Sequence, residues 1–172
     1  MRGSDIRPTS DRLRETLFNV LTAGNPQALD GSVWLDLFAG SGAVGIEALS
    51  RGAAMVYFAE CSRPAAELIR QNLDRLMITQ GFRIVPKEAS RAILQLEAEG
   101  IRADFAFFDP PYRLKAAYGE TLEALESSKL AESALIIAEH EKRFDPGEQF
   151  GNLQRSGKLE QGDSALSFYR RV

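Results

Sequence analysis

The stretch from Val33 to Gly45 constrains this chain more than any other. Val33 to Phe38 is an apolar run interrupted by one acid, Asp36, and it leads into Ala39-Gly40-Ser41-Gly42-Ala43-Val44-Gly45. An apolar run without alternation marks a strand covered on both faces, as in a parallel sheet. The glycines permit positive φ and a tight turn, and Ala43 to Ser50 reads as a helix stopped near Gly52. A buried strand that runs straight into a helix reaches its parallel neighbour by a crossover, so the segment points to an α/β architecture.

The remaining segments repeat the pattern. Leu13, Leu17, Val20 and Leu21 recur at helical spacing behind a cap at Thr9 or Ser10, predicting a helix from Thr9 to about Leu21. Met55 to Ala59 is a second buried strand ending at Glu60. Ser62 is placed to cap the next helix, with Pro64 in its first turn and a stripe of Ala65, Ile69, Leu73 and Leu76. Phe82 to Val85 is a short strand, followed by a helix marked by Ala89, Ile93 and Leu96. Phe105 to Phe108 is the fourth strand and ends at Asp109. A helix around Glu120 to Leu130 precedes a fifth strand, Ala134 to Ala138. Strands near Leu153–Leu159 and Ala165–Arg170, joined by Gly162-Asp163, read as an antiparallel hairpin.

Right-handed crossovers turn this alternation into a doubly wound sheet with helices on both faces. A length of 172 residues suits one such domain. Ligands in such sheets lie beyond the carboxyl ends of the strands, where the strand order reverses. Glu60, Glu88 and Asp109 stand at or near strand ends on that edge, a pattern packing alone does not require.

Asp36 to Gly45 also satisfies G-x-G-x-x-G, a phosphate- and nucleoside-binding pattern when a strand precedes it and a helix follows. Glu60 ends the second strand, where an acid can grip ribose hydroxyls. These residues fit a nicotinamide dinucleotide or S-adenosylmethionine equally well, because both carry an adenosine ribose. A bare structural turn is the competing account.

The segment Asp109-Pro110-Pro111-Tyr112 supplies different chemistry. Pro110 has a fixed φ, and Pro111 holds it extended. Neither proline has an N–H, so the loop offers bare carbonyls and one carboxylate, with a flat aromatic face beside them. These parts suit an amino group on a planar base, whose nitrogen is a poor nucleophile because its lone pair is delocalised into the ring. Accepting its hydrogens on the Asp109 carboxylate and the Pro110 carbonyl would hold the nitrogen and free the lone pair for a methyl donor. Tyr112 would stack on the base, worth ~1–3 kcal/mol in comparable sites.

Asp36-Leu37-Phe38-Ala39-Gly40-Ser41-Gly42 together with Asp109-Pro110-Pro111-Tyr112 is similar to the class I amino-methyltransferases. The leading segment from Arg7-Pro8-Thr9-Ser10-Asp11-Arg12 to Asn19, and Glu47 to Ala53, resemble the RsmD family, bacterial methyltransferases of guanine N2 in 16S ribosomal RNA. The resemblance implies a Rossmann-like sheet of seven strands with the last antiparallel. It implies S-adenosylmethionine as cofactor and 16S ribosomal RNA or a small-subunit particle as partner. By motif, Asp36, Phe38, Gly40, Ser41 and Gly42 would line the methionine side and Glu60 and Cys61 the ribose. Glu88 and Ala89 would lie by the adenine, and Asp109 to Tyr112 would hold the guanine. Arg7, Thr9 and Arg12 would meet the RNA at the mouth of the site. Two features depart from the family pattern: only six residues precede Arg7, and Glu88 stands where an aspartate is common.

Composition bounds the rest. With 44% hydrophobic and 26% charged residues the chain is an ordinary globular one. No apolar run spans a bilayer and Met1 to Ser4 contain no leader-like stretch, so no membrane partner is expected; the single cysteine fits a reducing cytoplasm, and a monomer is the simple expectation. The single Cys61 forms no internal disulfide, and one His with one Cys gives no expectation of a metal. A net charge of −3 counts against a dedicated nucleic-acid binder, although Arg2, Arg7, Arg12 and Arg14 cluster near one end and Arg155, Lys158, Arg170 and Arg171 near the other. His140 reads as a surface residue, Cys61 as a small packed one and Trp34 as core. Other readings are methylation of adenine N6 or of a protein amide, an NAD-dependent dehydrogenase, and a non-catalytic RNA-binding module.

Overall fold

A computed structural model describes residues 8–172, with side chains described from Asp11 onward. The chain begins with helix α1 (Pro8–Leu21), which buries Leu13, Leu17 and Phe18 at i, i+4 and i+5. Then strands and helices alternate: β1 (Val33–Leu37), α2 (Ala43–Ser50), β2 (Met55–Ala59), α3 (Arg63–Arg75), β3 (Phe82–Val85), α4 (Ala89–Ala98), β4 (Phe105–Phe108) and α5 (Ala116–Glu126). After a single 3-10 turn at Lys129–Ala131 come β5 (Leu135–Glu141), β6 (Gln149–Phe150), β7 (Leu153–Gln161) and β8 (Ser164–Arg171).

All eight strands form one sheet in the order β3-β2-β1-β4-β5-β8-β7-β6. The first five in chain order pair in parallel. β8 lies antiparallel against β5, with Glu139 opposite Leu166 and His140 opposite Ala165. Strand order reverses at β1, whose neighbours β2 and β4 lead away in opposite directions. The sheet is therefore doubly wound, with two features the sequence does not reveal. The count is eight strands rather than seven, because β6 has only two residues and two residues show no periodicity. The helix expected around Glu120 begins at Ala116 and ends at Glu126, and a Ser128-capped 3-10 turn replaces its last turn.

The alternation of side chains along each strand divides the interior into two cores. On one face Leu35, Leu37, Tyr57 and Ile136 meet Ile93 and Leu96 of α4 and Tyr118 and Leu122 of α5. On the other, Trp34, Val56, Phe58, Phe107 and Ile137 meet Leu13, Leu17 and Phe18 of α1 and Ile69 and Leu73 of α3. Trp34 is core, as expected: it stacks on Phe18 at 5.5 Å and on Phe105 at 4.6 Å, and its indole N–H donates to the Ser32 hydroxyl at 3.1 Å. Each such ring pair adds about 0.5–1.5 kcal/mol beyond area burial.

His140 is fully buried, contrary to the surface position expected of it. The sequence places it just past an apolar run, but β5 continues to Glu141 and β8 covers it. Its Nε2 lies 2.8 Å from the Ser167 hydroxyl and its Nδ1 2.8 Å from the Glu141 carbonyl. Burial lowers its pKa, so the ring is neutral and ties β5 to β8. Cys61, expected to be packed, is exposed, because it lies in the turn between β2 and α3. In the α3 stripe Ile69 and Leu73 are buried, whereas Leu76 lies just past the helix and is exposed.

Candidate active site

A cleft of about 710 Å³ opens at the carboxyl ends of β1, β2 and β4, where the strand order reverses. Its first wall is the glycine turn. Asp36 is buried in β1, and its Oδ2 accepts the Gly45 N–H at 3.0 Å, which joins the strand to the helix beyond the turn. Burial, reinforced by the nearby Glu60 charge, pushes the Asp36 carboxyl up to about 8, against the opposing effect of the Gly45 hydrogen bond. Phe38 turns the chain with φ of 56°, a left-handed conformation rarely adopted outside glycine. Gly40 follows with φ of 58°, and a Cβ there would meet nothing within 4 Å, so the turn presents bare backbone to the cleft.

The second wall is Glu60. Its Oε1 accepts the Gly40 N–H and its Oε2 accepts the Ser62 N–H, both at 2.9 Å. The carboxylate is thus clasped between the glycine turn and the start of α3, where the Ser62 hydroxyl accepts from the Ala65 N–H. A carboxylate has about four acceptor positions; with two taken by backbone, others remain for hydroxyl donors in the cleft. The Asn72 side-chain amide donates to the Ser41 carbonyl at 2.9 Å and steadies the same turn.

The third wall follows β4. Asp109, the buried Pro110 and the exposed Pro111 line the cleft, and the Leu114 N–H donates to the Pro111 carbonyl at 2.8 Å, closing the loop as a turn. Of the residues singled out in the sequence, Asp36, Phe38, Gly40, Ser41, Glu60, Cys61, Glu88, Ala89 and Asp109 to Pro111 meet around this one space. Gly42 does not: it is buried at the start of α2 with φ of 79°, and a Cβ there would lie 3.2–3.3 Å from Ile69 and Phe58. Tyr112 is half-buried beside the lining, not in it, and Arg12 is exposed on α1 outside it. Arg7 lies outside the described residues, as does the side chain of Thr9.

Several lining residues were missed in the sequence: Leu13, Arg14 and Leu17 of α1, Lys87, Thr121, Glu139 and Leu166. The helical spacing of Leu13 and Leu17 puts Arg14 beside them, so that residue was within reach of the pattern. Glu139 carried the same signal as Glu60 and Asp109, an acid just beyond an apolar strand.

A cleft at the switch point, a carboxylate clasp at the end of β2 and a proline-stiffened acid at the end of β4 form one arrangement. The family model described as Conserved hypothetical protein 95 matches residues 1–170. The chain belongs to this family, the RsmD methyltransferases. Ribosomal RNA small subunit methyltransferase D of Escherichia coli (strain K12) is 41% identical over 79% of this chain, the matched part spanning 65% of that protein. The protein of the same name from Haemophilus influenzae is 36% identical over 83% of this chain and 72% of its own length. A solved structure, a conserved hypothetical protein from Streptococcus pyogenes, superposes with a TM-score of 0.79 at 32% identity, over 92% of this chain and 95% of that one.

RsmD enzymes draw their methyl group from S-adenosylmethionine. The cleft suits that group. Bare backbone at Gly40 leaves room for its methionine part, and the clasped Glu60 offers acceptors to ribose hydroxyls. The buried Asp36 carboxyl, held up at about 8, is stabilised in its charged form by a cation, and the cofactor carries positive charge on its sulfonium and its amino group. When bound there, the cofactor supplies an electrophilic methyl.

Proposed function

We propose that this chain, acting as one methyltransferase domain, methylates the exocyclic N2 amino group of a guanine in 16S ribosomal RNA. The observation that carries the reading is that Asp109-Pro110-Pro111 and the Glu60–Gly40 clasp line one cleft. The relatives named as small subunit ribosomal RNA methyltransferases support ribosomal RNA as the substrate class.

In this reading Glu60 holds the ribose, Asp36, Phe38, Gly40 and Ser41 surround the methionine part, and Glu88 and Ala89 flank the adenine. The Asp109 carboxylate and the Pro110 carbonyl accept the two N2 hydrogens and turn the nitrogen lone pair toward the methyl. With S-adenosylmethionine bound, its methyl would pass to this nitrogen as the sulfur–carbon bond breaks, and Asp109 or water would take the amino proton. Tyr112 stacks on a base drawn out of its helix or loop. Arg7, Thr9 and Arg12 contact the RNA, joined by Arg14, which lines the cleft. A net charge of −3 leaves this contact to local cations instead of a global field. The enzyme works as a monomer in the cytoplasm. No helix among the described residues is long and apolar enough to cross a membrane.

The test is methyl transfer to 16S RNA and to small-subunit particles from a strain lacking the enzyme, followed by mapping of the product. A single modified guanine at N2 is expected. A methyl group on adenine N6 or on a ribosomal protein amide would overturn the acceptor assignment.

A further inference from the structure

Glu139 is a buried acid of the cleft that the methyl transfer outlined above leaves unused. It ends the apolar part of β5, is 7% exposed, and lines the cleft together with Asp109. Packing does not require an acid there: Leu135, Ile136, Ile137 and Ala138 complete the two cores before it. Its position is held firmly. Its backbone carbonyl accepts the Tyr118 hydroxyl at 2.8 Å, and its residue pairs with Leu166 of β8. No donor to its carboxylate is found among the described residues.

The register sets Glu139 beside Asp109. β4 and β5 pair in parallel with Phe108 opposite Ala138, so Asp109 and Glu139 are the next residues along two neighbouring strands. Such strands run roughly 5 Å apart. The alternation also places them on one face. Phe107 and Ile137, two residues earlier, belong to the core beneath α1, and the next outward positions on that side are Asp109 and Glu139. Two acceptor groups thus stand side by side on the acceptor end of the cleft.

Guanine presents two kinds of donor side by side on one edge: the N2 amino group and N1–H. Adenine presents its amino group beside a bare N1, which is an acceptor. A carboxylate fixed opposite that position is satisfied by guanine and left facing a lone pair by adenine, and an unpaired buried carboxylate is costly. We propose that Glu139 is a specificity-determining residue that accepts the guanine N1–H while Asp109 holds the N2 amino group. This inference rests on the guanine reading above. It adds what that reading lacks, a physical basis for choosing guanine.

The probe is 2-aminopurine, which keeps the 2-amino group and lacks N1–H. Synthetic RNA of the mapped target stretch, with guanine or 2-aminopurine at the target and reconstituted into particles, is offered to the wild-type enzyme and to Glu139→Gln. The wild type should prefer guanine by about 10- to 100-fold in kcat/KM, the effect of stranding one buried acceptor. In Glu139→Gln the amide can turn its NH₂ toward a bare N1. Transfer to guanine should fall and that to 2-aminopurine should rise, so the preference collapses while affinity for S-adenosylhomocysteine is unchanged. A merely structural role would lower both acceptors together and leave their ratio intact, and that result would overturn the inference. So would equal transfer to both by the wild type, a comparison that needs no variant to fold. A wild type that methylates no guanine in either context overturns the underlying reading, and the inference with it. Transfer to guanine without preference overturns the inference alone.

Discussion

Asp36 sits in the middle of an apolar strand and keeps a carboxyl group that titrates near neutrality. Burial is the main cause, the Glu60 charge adds to it, and the Gly45 hydrogen bond opposes it. The folded protein therefore holds a proton that the unfolded chain has released above the ordinary value of 3.8. The sign follows from linkage. This group's contribution to stability is full below 3.8 and is lost as pH rises to about 8. Asp36→Asn keeps an acceptor for Gly45 and removes the titration. Its melting temperature should exceed that of the wild type at pH 8.5, and the gap should narrow steadily as pH falls toward the unfolded value of 3.8. Cofactor binding has the opposite dependence: a cation in the cleft favours the ionised carboxyl, so S-adenosylmethionine should bind more tightly as pH rises toward 8 and should release protons on binding at pH 7. Calorimetry in buffers of different ionisation enthalpy would count those protons, and Asp36→Asn should abolish the release. At the opposite wall, Asp109→Ala should lower methyl transfer by about 100-fold or more, the scale of a lost preorganised contact. The affinity for S-adenosylhomocysteine should remain as it was. Near-normal transfer by that variant would sink the mechanism.

The glycine turn shows how one motif divides its work among elements. Gly40 faces open space in the cleft, Gly42 takes the left-handed turn at the start of α2, and Gly45 lets α2 approach β2. A Cβ on Gly45 would lie within 2.8 Å of the Phe58 ring and the Val56 side chain, both in the buried strand. Gly45→Ala should therefore cost ~1–3 kcal/mol from overpacking, read by urea unfolding. Much of this level was legible in the sequence. Val33, Met55, Phe82 and Phe105 each begin strands where the apolar runs begin, and Ser62 caps α3 as its side chain suggests. Where the reading failed, long-range contacts decided. His140 reads as surface because the elements that bury it, β8 beside it and Tyr118 of α5 edge-on to its ring, are distant in sequence. The start of α5 was missed because Leu114 to Tyr118 carry no cap: no side chain caps the helix at Lys115. In the site, the strand-end acids stand out because fold rules say where strands end. The residues of α1 and β8 that close the cleft do not, because docking positions are not written in local periodicity.

At the scale of the molecule, the cleft is built from both ends of the described chain. Leu13 and Leu17 of α1 and Leu166 of β8 share it, and the same residues belong to the core on that face. Cleft and stability are thus coupled. Leu17→Ala should cost ~2–5 kcal/mol, read by thermal or urea unfolding. It should also raise the KM for RNA by opening the mouth, whereas an exposed change such as Val20→Ala should leave both nearly unmoved. The placement of β8 has a further consequence. β5 is the inner strand against which it lies, yet β6 and β7 come between them in the chain. Until β8 docks, the edge of β5 is open and His140 and Glu139 lack the strand that pairs with them. A folding chain that has everything but β8 in place therefore carries an open edge next to its own cleft. Ser167→Pro, which removes an N–H from the β8 strand opposite Ala138, should raise aggregation on refolding from urea, read by light scattering.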